Sequence, residues 1–171
     1  DVLDRVLADY PAILGGGMSS RLFLNVRERQ GLGYYIKTSP EQYTDSGYIC
    51  TFAGIQKTRV EDAVKSIIGE YKRIAVESVE EQELHKAREL LKGRLALRLE
   101  GSDDIALFWG AQELLTKHVL APEDIFRRID EVHATDIRRV AGEFFVPSKL
   151  NLAILGPLKD PEPFTKLLTQ L

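Results

Sequence analysis

Leu22-Phe23-Leu24-Asn25-Val26-Arg27-Glu28-Arg29-Gln30, then Gly31-Leu32-Gly33, then Tyr34-Tyr35-Ile36-Lys37-Thr38: within this short stretch the chain changes its period. Leu22, Phe23 and Val26 share one face of a helix predicted from about Met18 to Gln30. Gly31 and Gly33 end that helix and turn the chain. Tyr34 to Thr38 is rich in β-branched and aromatic residues, and Tyr48-Ile49-Cys50-Thr51-Phe52-Ala53 is richer still. Thr44-Asp45-Ser46-Gly47 lies between them as a turn signal, so the pair reads as an antiparallel hairpin. A helix that feeds directly into a hairpin makes this an α+β chain.

Upstream, apolar residues at 2, 3, 6, 7, 10, 13 and 14 form a helical stripe over Asp1 to Leu14. Pro11 interrupts the stripe, and Gly15-Gly16-Gly17 reads as a flexible break between two helices. Downstream, Thr58-Arg59-Val60-Glu61 and Ser78-Val79-Glu80-Glu81 are capping boxes opening helices over about 59–76 and 79–100. Ser102-Asp103-Asp104 starts another helix, with acidic residues where its dipole favours them. Pro122 begins a short one, Thr135 or Asp136 caps the next, and Pro161 to Leu171 closes the chain as a helix. Residues 149–156 read as a third strand. The architecture expected is one domain over residues 1–171, an antiparallel sheet packed against several long helices. Three strands are few for so many helices, so further strands are expected before residue 1.

Composition narrows the function. Apolar residues make up 44% and charged ones 29% of 171 residues, which suits a globular core rather than disorder. The net charge of −3 disfavours general electrostatic binding of nucleic acid, and no apolar run is long enough to span a membrane. The lone Cys50 excludes an internal disulfide and reads as a buried small hydrophobe. One cysteine fits a bacterial cytoplasm or periplasm as well as an organelle. A zinc peptidase helix requires His-Glu-x-x-His or its inversion, His-x-x-Glu-His. His85-Lys86-Ala87-Arg88-Glu89 approaches the inverted form but has arginine for the glutamate and glutamate for the second histidine. His118 and His133 have no partners at ligand spacing, so no metal site is expected in this chain. No complete catalytic set is present.

The block Ile13-Leu14-Gly15-Gly16-Gly17-Met18-Ser19-Ser20-Arg21-Leu22-Phe23, followed by Val26-Arg27-Glu28-Arg29-Gln30-Gly31-Leu32-Gly33-Tyr34, closely resembles the insulinase/pitrilysin family of zinc metallopeptidases. The likeness is to the domain of their C-terminal half. It extends through Asp45-Ser46-Gly47, the Ser78 to Leu84 helix start and Leu155-Gly156-Pro157, nearly the whole chain. It implies one domain of a duplicated peptidase half, and so a fragment of a larger chain. Zinc and the general base would be supplied by an N-terminal zinc-binding domain or a partner subunit. The family's C-terminal domain contributes an arginine and a tyrosine seven residues apart that reach a bound peptide; Arg27 and Tyr34 stand at that spacing.

By that resemblance Arg27 is a substrate contact and Tyr34 a contact to the scissile carbonyl, with Gly31 and Gly33 forming the turn through which they converge. Tyr35, on the opposite face of a regular strand, is the weaker candidate, and Arg21 and Arg29 read as surface or structural. The resemblance also admits a catalytically inactive structural or partner subunit. A His-x-x-Glu-His motif in the full-length chain or its partner separates the two. An unprotected sheet edge further predicts that the isolated fragment self-associates.

Overall fold

In the computed structural model, residues 11–158 and 160–169 are described. The expected first helix therefore lies mostly outside the described residues, although residues 11–15 are helical and bury Ile13 and Leu14. The segment predicted as an ordinary helix from Met18 to Gln30 is instead a π-helix over Phe23–Arg29, with the Gln30 N–H donating five residues back to the Asn25 carbonyl at 3.1 Å. Strand β1 (Gly33–Gln42) and strand β2 (Gly47–Ile55) pair antiparallel, as the turn signal predicted. Helices α1 (Val60–Val76), α2 (Glu81–Arg98), α3 (Ser102–Leu115), α4 (Pro122–Asp130), α5 (Ala134–Phe144) and α6 (Glu162–Leu168) come next, with one short 3₁₀ turn at Pro147–Lys149. The result is a helix-rich α+β fold with a two-stranded sheet.

The core gathers around α1. Ile36 and Thr38 of β1 point inward, while Lys37 and its cross-strand partner Phe52 point out. Thr38 Oγ1 lies 2.8 Å from Thr51 Oγ1 across the ladder, and the Tyr71 hydroxyl of α1 donates to the same Thr51 oxygen. Tyr71 also stacks on Phe145, just past α5, with ring centroids 4.1 Å apart. One turn either side, Ile74 packs into the main core and Ile68 against Leu167 of α6. A polar group buried in this way is stable only when hydrogen-bonded, which explains the threonine pair at the phenol oxygen.

Several local expectations are corrected. A Cβ on Gly15 would run into the backbone and side chain of Thr38, so that glycine permits a close approach rather than forming a flexible break. Neither predicted capping box forms: α1 starts behind Arg59 and α2 behind Glu80, each without a side-chain cap. At the second, Glu77 and Glu80 are extended and Val79 is 4% exposed, so burial of that valine delays the helix. The cap of α5 is also displaced, to His133, whose backbone N–H donates to Asp136 Oδ2 at 3.0 Å. The predicted strand at 149–156 is absent among the described residues. Its apolar Leu152, Ile154 and Leu155 are exposed, because β propensity cannot supply the neighbouring backbone that a ladder needs.

Burial pushes the Tyr71 phenol up to about 12, opposed by its hydrogen bond to Thr51. The neutral phenol is thus favoured in the folded state, and this contribution is complete below the unfolded pKa of about 10 and disappears as the pH rises to about 12. Urea titrations from neutral to alkaline pH are expected to show an extra stability loss of about 2–3 kcal/mol in the wild-type chain that Tyr71→Phe lacks. Parallel pH curves for the two proteins would contradict the assignment.

Candidate functional site

The π-helix ends at a glycine for a steric reason. Gly31 has φ +58°, a left-handed conformation that costs a residue with a Cβ roughly 1–2 kcal/mol. This turn sends Leu32 into the core, fully buried, and delivers Gly33 to the ladder. Gly33 sits so close to β2 that a Cβ there would lie 2.5 Å from the Gly54 carbonyl oxygen and 2.6 Å from Ile55 Cδ1. The two predicted turn glycines therefore have different duties, one conformational and one of clearance.

Immediately after Gly33 the register slips. Gly33 pairs with Ile55 and Tyr35 with Gly54, leaving Tyr34 as an extra residue in a β-bulge. A bulge breaks the strict alternation of side chains and re-aims those at it. Tyr34 is 87% exposed and Tyr35 49%, so the expectation that Tyr35 faces oppositely to Tyr34, drawn for a regular strand, does not apply here.

Arg27 and Tyr34 come together across the glycine turn. The Arg27 guanidinium carbon lies 5.7 Å from the Tyr34 ring centroid and 4.6 Å from that of Phe23, within the range of cation–π attraction. Its Nε is 3.7 Å from Glu28 Oε1, a loose and exposed ion pair worth little. Beside the tyrosine, Gly31, Gly33, Tyr34, Gly54, Ile55 and Gln56 line an open depression of about 440 Å³. Three glycines leave bare backbone there, a surface that an extended peptide can approach closely. The sequence places Phe23 only on the helix face with Leu22 and Val26, although it lies four residues before Arg27, the spacing at which helical side chains meet.

The flanking arginines differ from this one. Arg21 makes a bidentate pair with Glu83 of α2, both bonds 2.7 Å, and so clamps the helix start to α2. No hydrogen bond or ion pair is described for Arg29, which is exposed in the last turn of the π-helix. Cys50 is only partly buried, and desolvation, with Glu41 nearby, pushes its thiol up. His85, His118 and His133 are all exposed. Among the described residues, no group of three or more His, Cys, Asp or Glu is placed to hold a metal ion, so this donor set does not fit zinc. Nor is any helix among them long and apolar enough to cross a membrane.

Residues 6–91 match the family model described as the peptidase M16 inactive domain. An uncharacterized zinc protease of Streptomyces coelicolor is 33% identical over 149 residues, covering 87% of this chain and 32% of that protein. Among solved structures, a conserved protein from Enterococcus faecalis V583 is 28% identical with a TM-score of 0.73, covering 82% of this chain and 33% of that one. A protease from Helicobacter pylori matches at 23% identity and TM-score 0.74, over 85% of this chain and 35% of that one, a likeness of fold. The chain spans about a third of the length of the curated relatives it matches.

The geometry of the turn makes a prediction about its glycines. Gly31→Ala is expected to destabilise the protein by about 1–2 kcal/mol through its left-handed φ alone. Gly33→Ala, which forces β2 to shift, should cost more and also perturb Tyr34. Denaturant midpoints at unchanged slope, with near-ultraviolet dichroism reporting the tyrosines, distinguish the two; equal effects would contradict the clearance role.

Proposed function

We propose that this chain, which belongs to the peptidase M16 family, is the non-zinc-binding domain of a zinc metallopeptidase, and that it holds a peptide substrate through Arg27 and Tyr34. Residues 1–171 act in this reading as one domain of a larger chain, opposite an N-terminal zinc-binding domain or partner subunit. The observation that carries it is the convergence of Arg27 and the exposed Tyr34 beside the glycine-lined depression. Relatives named zinc proteases support the activity of the whole, and the absence of a fitting donor set among the described residues is why zinc is assigned outside this chain.

The chemistry rests on what each group donates. Hydrolysis of a peptide bond builds negative charge on the scissile carbonyl oxygen. A phenol hydroxyl aimed at that oxygen binds the transition state more tightly than the substrate, and so raises the rate. The planar guanidinium of Arg27 presents several donors in a rigid fork, suited to peptide carbonyls. Phe23 beneath it limits the directions that fork can take.

In the full-length protein, Tyr34→Phe is expected to lower kcat roughly 100–1000-fold without changing zinc content. Arg27→Ala should raise KM, lower kcat, or both. Peptide cleavage kinetics beside circular dichroism and metal analysis test this. Full activity in both variants would leave the pair structural and favour the alternative of an inactive partner subunit. On its own, the 171-residue chain exposes Leu107, Leu114 and Leu115 of α3 and Leu155, and is expected to self-associate. Light scattering across a tenfold concentration range checks this, and a strictly monomeric chain would oppose it.

A further inference from the structure

A ladder of polar side chains runs between the π-helix and α1, and none of its members touches the depression. Ser66 Oγ donates to Gln30 Oε1 at 3.0 Å, Gln30 Nε2 to Asn25 Oδ1 at 2.9 Å, and Asn25 Nδ2 to Glu70 Oε1 at 2.8 Å. Arg73 Nη1 closes it by donating to both Glu70 oxygens, at 3.1 and 3.3 Å. Ser66, Glu70 and Arg73 are spaced four and three residues apart on one face of α1. Glu70 is 2% exposed, and a buried carboxylate persists only where specific donors hold it. Apolar residues would serve a helix contact at least as well, so the ladder calls for a reason beyond adhesion.

Its spacing supplies one. Asn25 and Gln30 are five residues apart, and on an α-helix such positions lie about 140° apart around the axis, too far round to meet. In the wider π turn they share a face, and the Gln30 N–H reaches the Asn25 carbonyl. The side-chain bond and the backbone bond therefore select the same register. Arg27 lies between the two anchored residues, and a relaxation to the α register would rotate everything after it, including the turn that delivers Tyr34. π turns of this kind are frequent at functional sites.

We propose that Asn25, Gln30 and Glu70 are positioning residues: they lock the π register and so hold Arg27 between Phe23 and Tyr34. This rests on the reading of Arg27 and Tyr34 as substrate contacts. Asn25→Asp sets a second carboxylate against Glu70 and should open the ladder. Adding Glu70→Gln to it exchanges amide and carboxylate between the two positions and should close it again.

The test uses the full-length protein, peptide cleavage kinetics and hydrogen exchange of the Gln30 and Leu32 amides, which donate to Asn25 and Val26. Asn25→Asp is expected to accelerate exchange at both amides and reduce kcat/KM about tenfold or more, with the paired exchange restoring both readouts. In an Arg27→Ala background, Asn25→Asp should have a clearly smaller further effect on kcat/KM, because the part of the loss that acts through that arginine is already gone. Unchanged exchange in Asn25→Asp would overturn the proposal. So would an undiminished kinetic loss in the Arg27→Ala background, which would mark a merely structural role. If Arg27→Ala itself keeps full activity, it is the substrate reading that fails, and the exchange data alone then decide whether the ladder locks the register.

Discussion

The buried phenol of Tyr71 is the constraint on which the rest of the structure depends. Its ring needs apolar cover, which Phe145 supplies, and its hydroxyl needs a partner, which Thr51 supplies. Meeting both demands at once brings the end of α5 and the hairpin against one side of α1. Thr51 is in turn paired with Thr38, which lies directly under Gly15, so the same contact reaches back to the first helical residues described. Unpartnered, a hydroxyl in that position would cost about 1–3 kcal/mol, comparable to burying a large apolar side chain. A change at any of these positions is therefore transmitted to elements far apart in sequence.

The same helix supports the candidate site from its other side. Glu70, one residue before Tyr71, is directed away from the hairpin toward the π-helix. The site is thus suspended from α1 at two points, its helical half through Asn25 and its strand half through the Thr51–Tyr71 contact. Between them the Gly31 to Gly33 turn has little freedom, since Leu32 is fully buried and Gly33 abuts β2. Precision in a binding constellation comes from such supports more than from the contacting groups themselves. Tyr34 is exposed and Arg27 partly so, while Glu70, Tyr71 and Leu32 behind them are buried.

The periphery is organised differently. Arg21 with Glu83, and Lys92 with Asp130, tie α2 to its neighbours by charge, while α3 buries no residue at all. Leu107, Leu114 and Leu115 of α3, with the apolar side chains of 152–155, form a surface left exposed among the described residues. The curated relatives it matches are about three times as long.

Much of this was legible in the residues. The shift from helical to alternating period after Gln30, the glycine pair and the Asp45-Ser46-Gly47 turn determined a helix–turn–hairpin unit, because these are local preferences of short segments. The spacing of Arg27 and Tyr34 was likewise available, and with it the family likeness. Tertiary structure alone decided the π register of Phe23–Arg29, since that depends on Glu70, 45 residues from Asn25 in sequence. It also decided the bulge that exposes both Tyr34 and Tyr35, a matter of how β1 meets β2 rather than of either strand's composition. The cap at Ser78 moved because burial of Val79 outweighs a local hydrogen bond, and residues 149–156 formed no strand because a strand exists only beside another. Local chemistry sets which elements a segment can form; the burial and pairing of distant residues set which of them it does form.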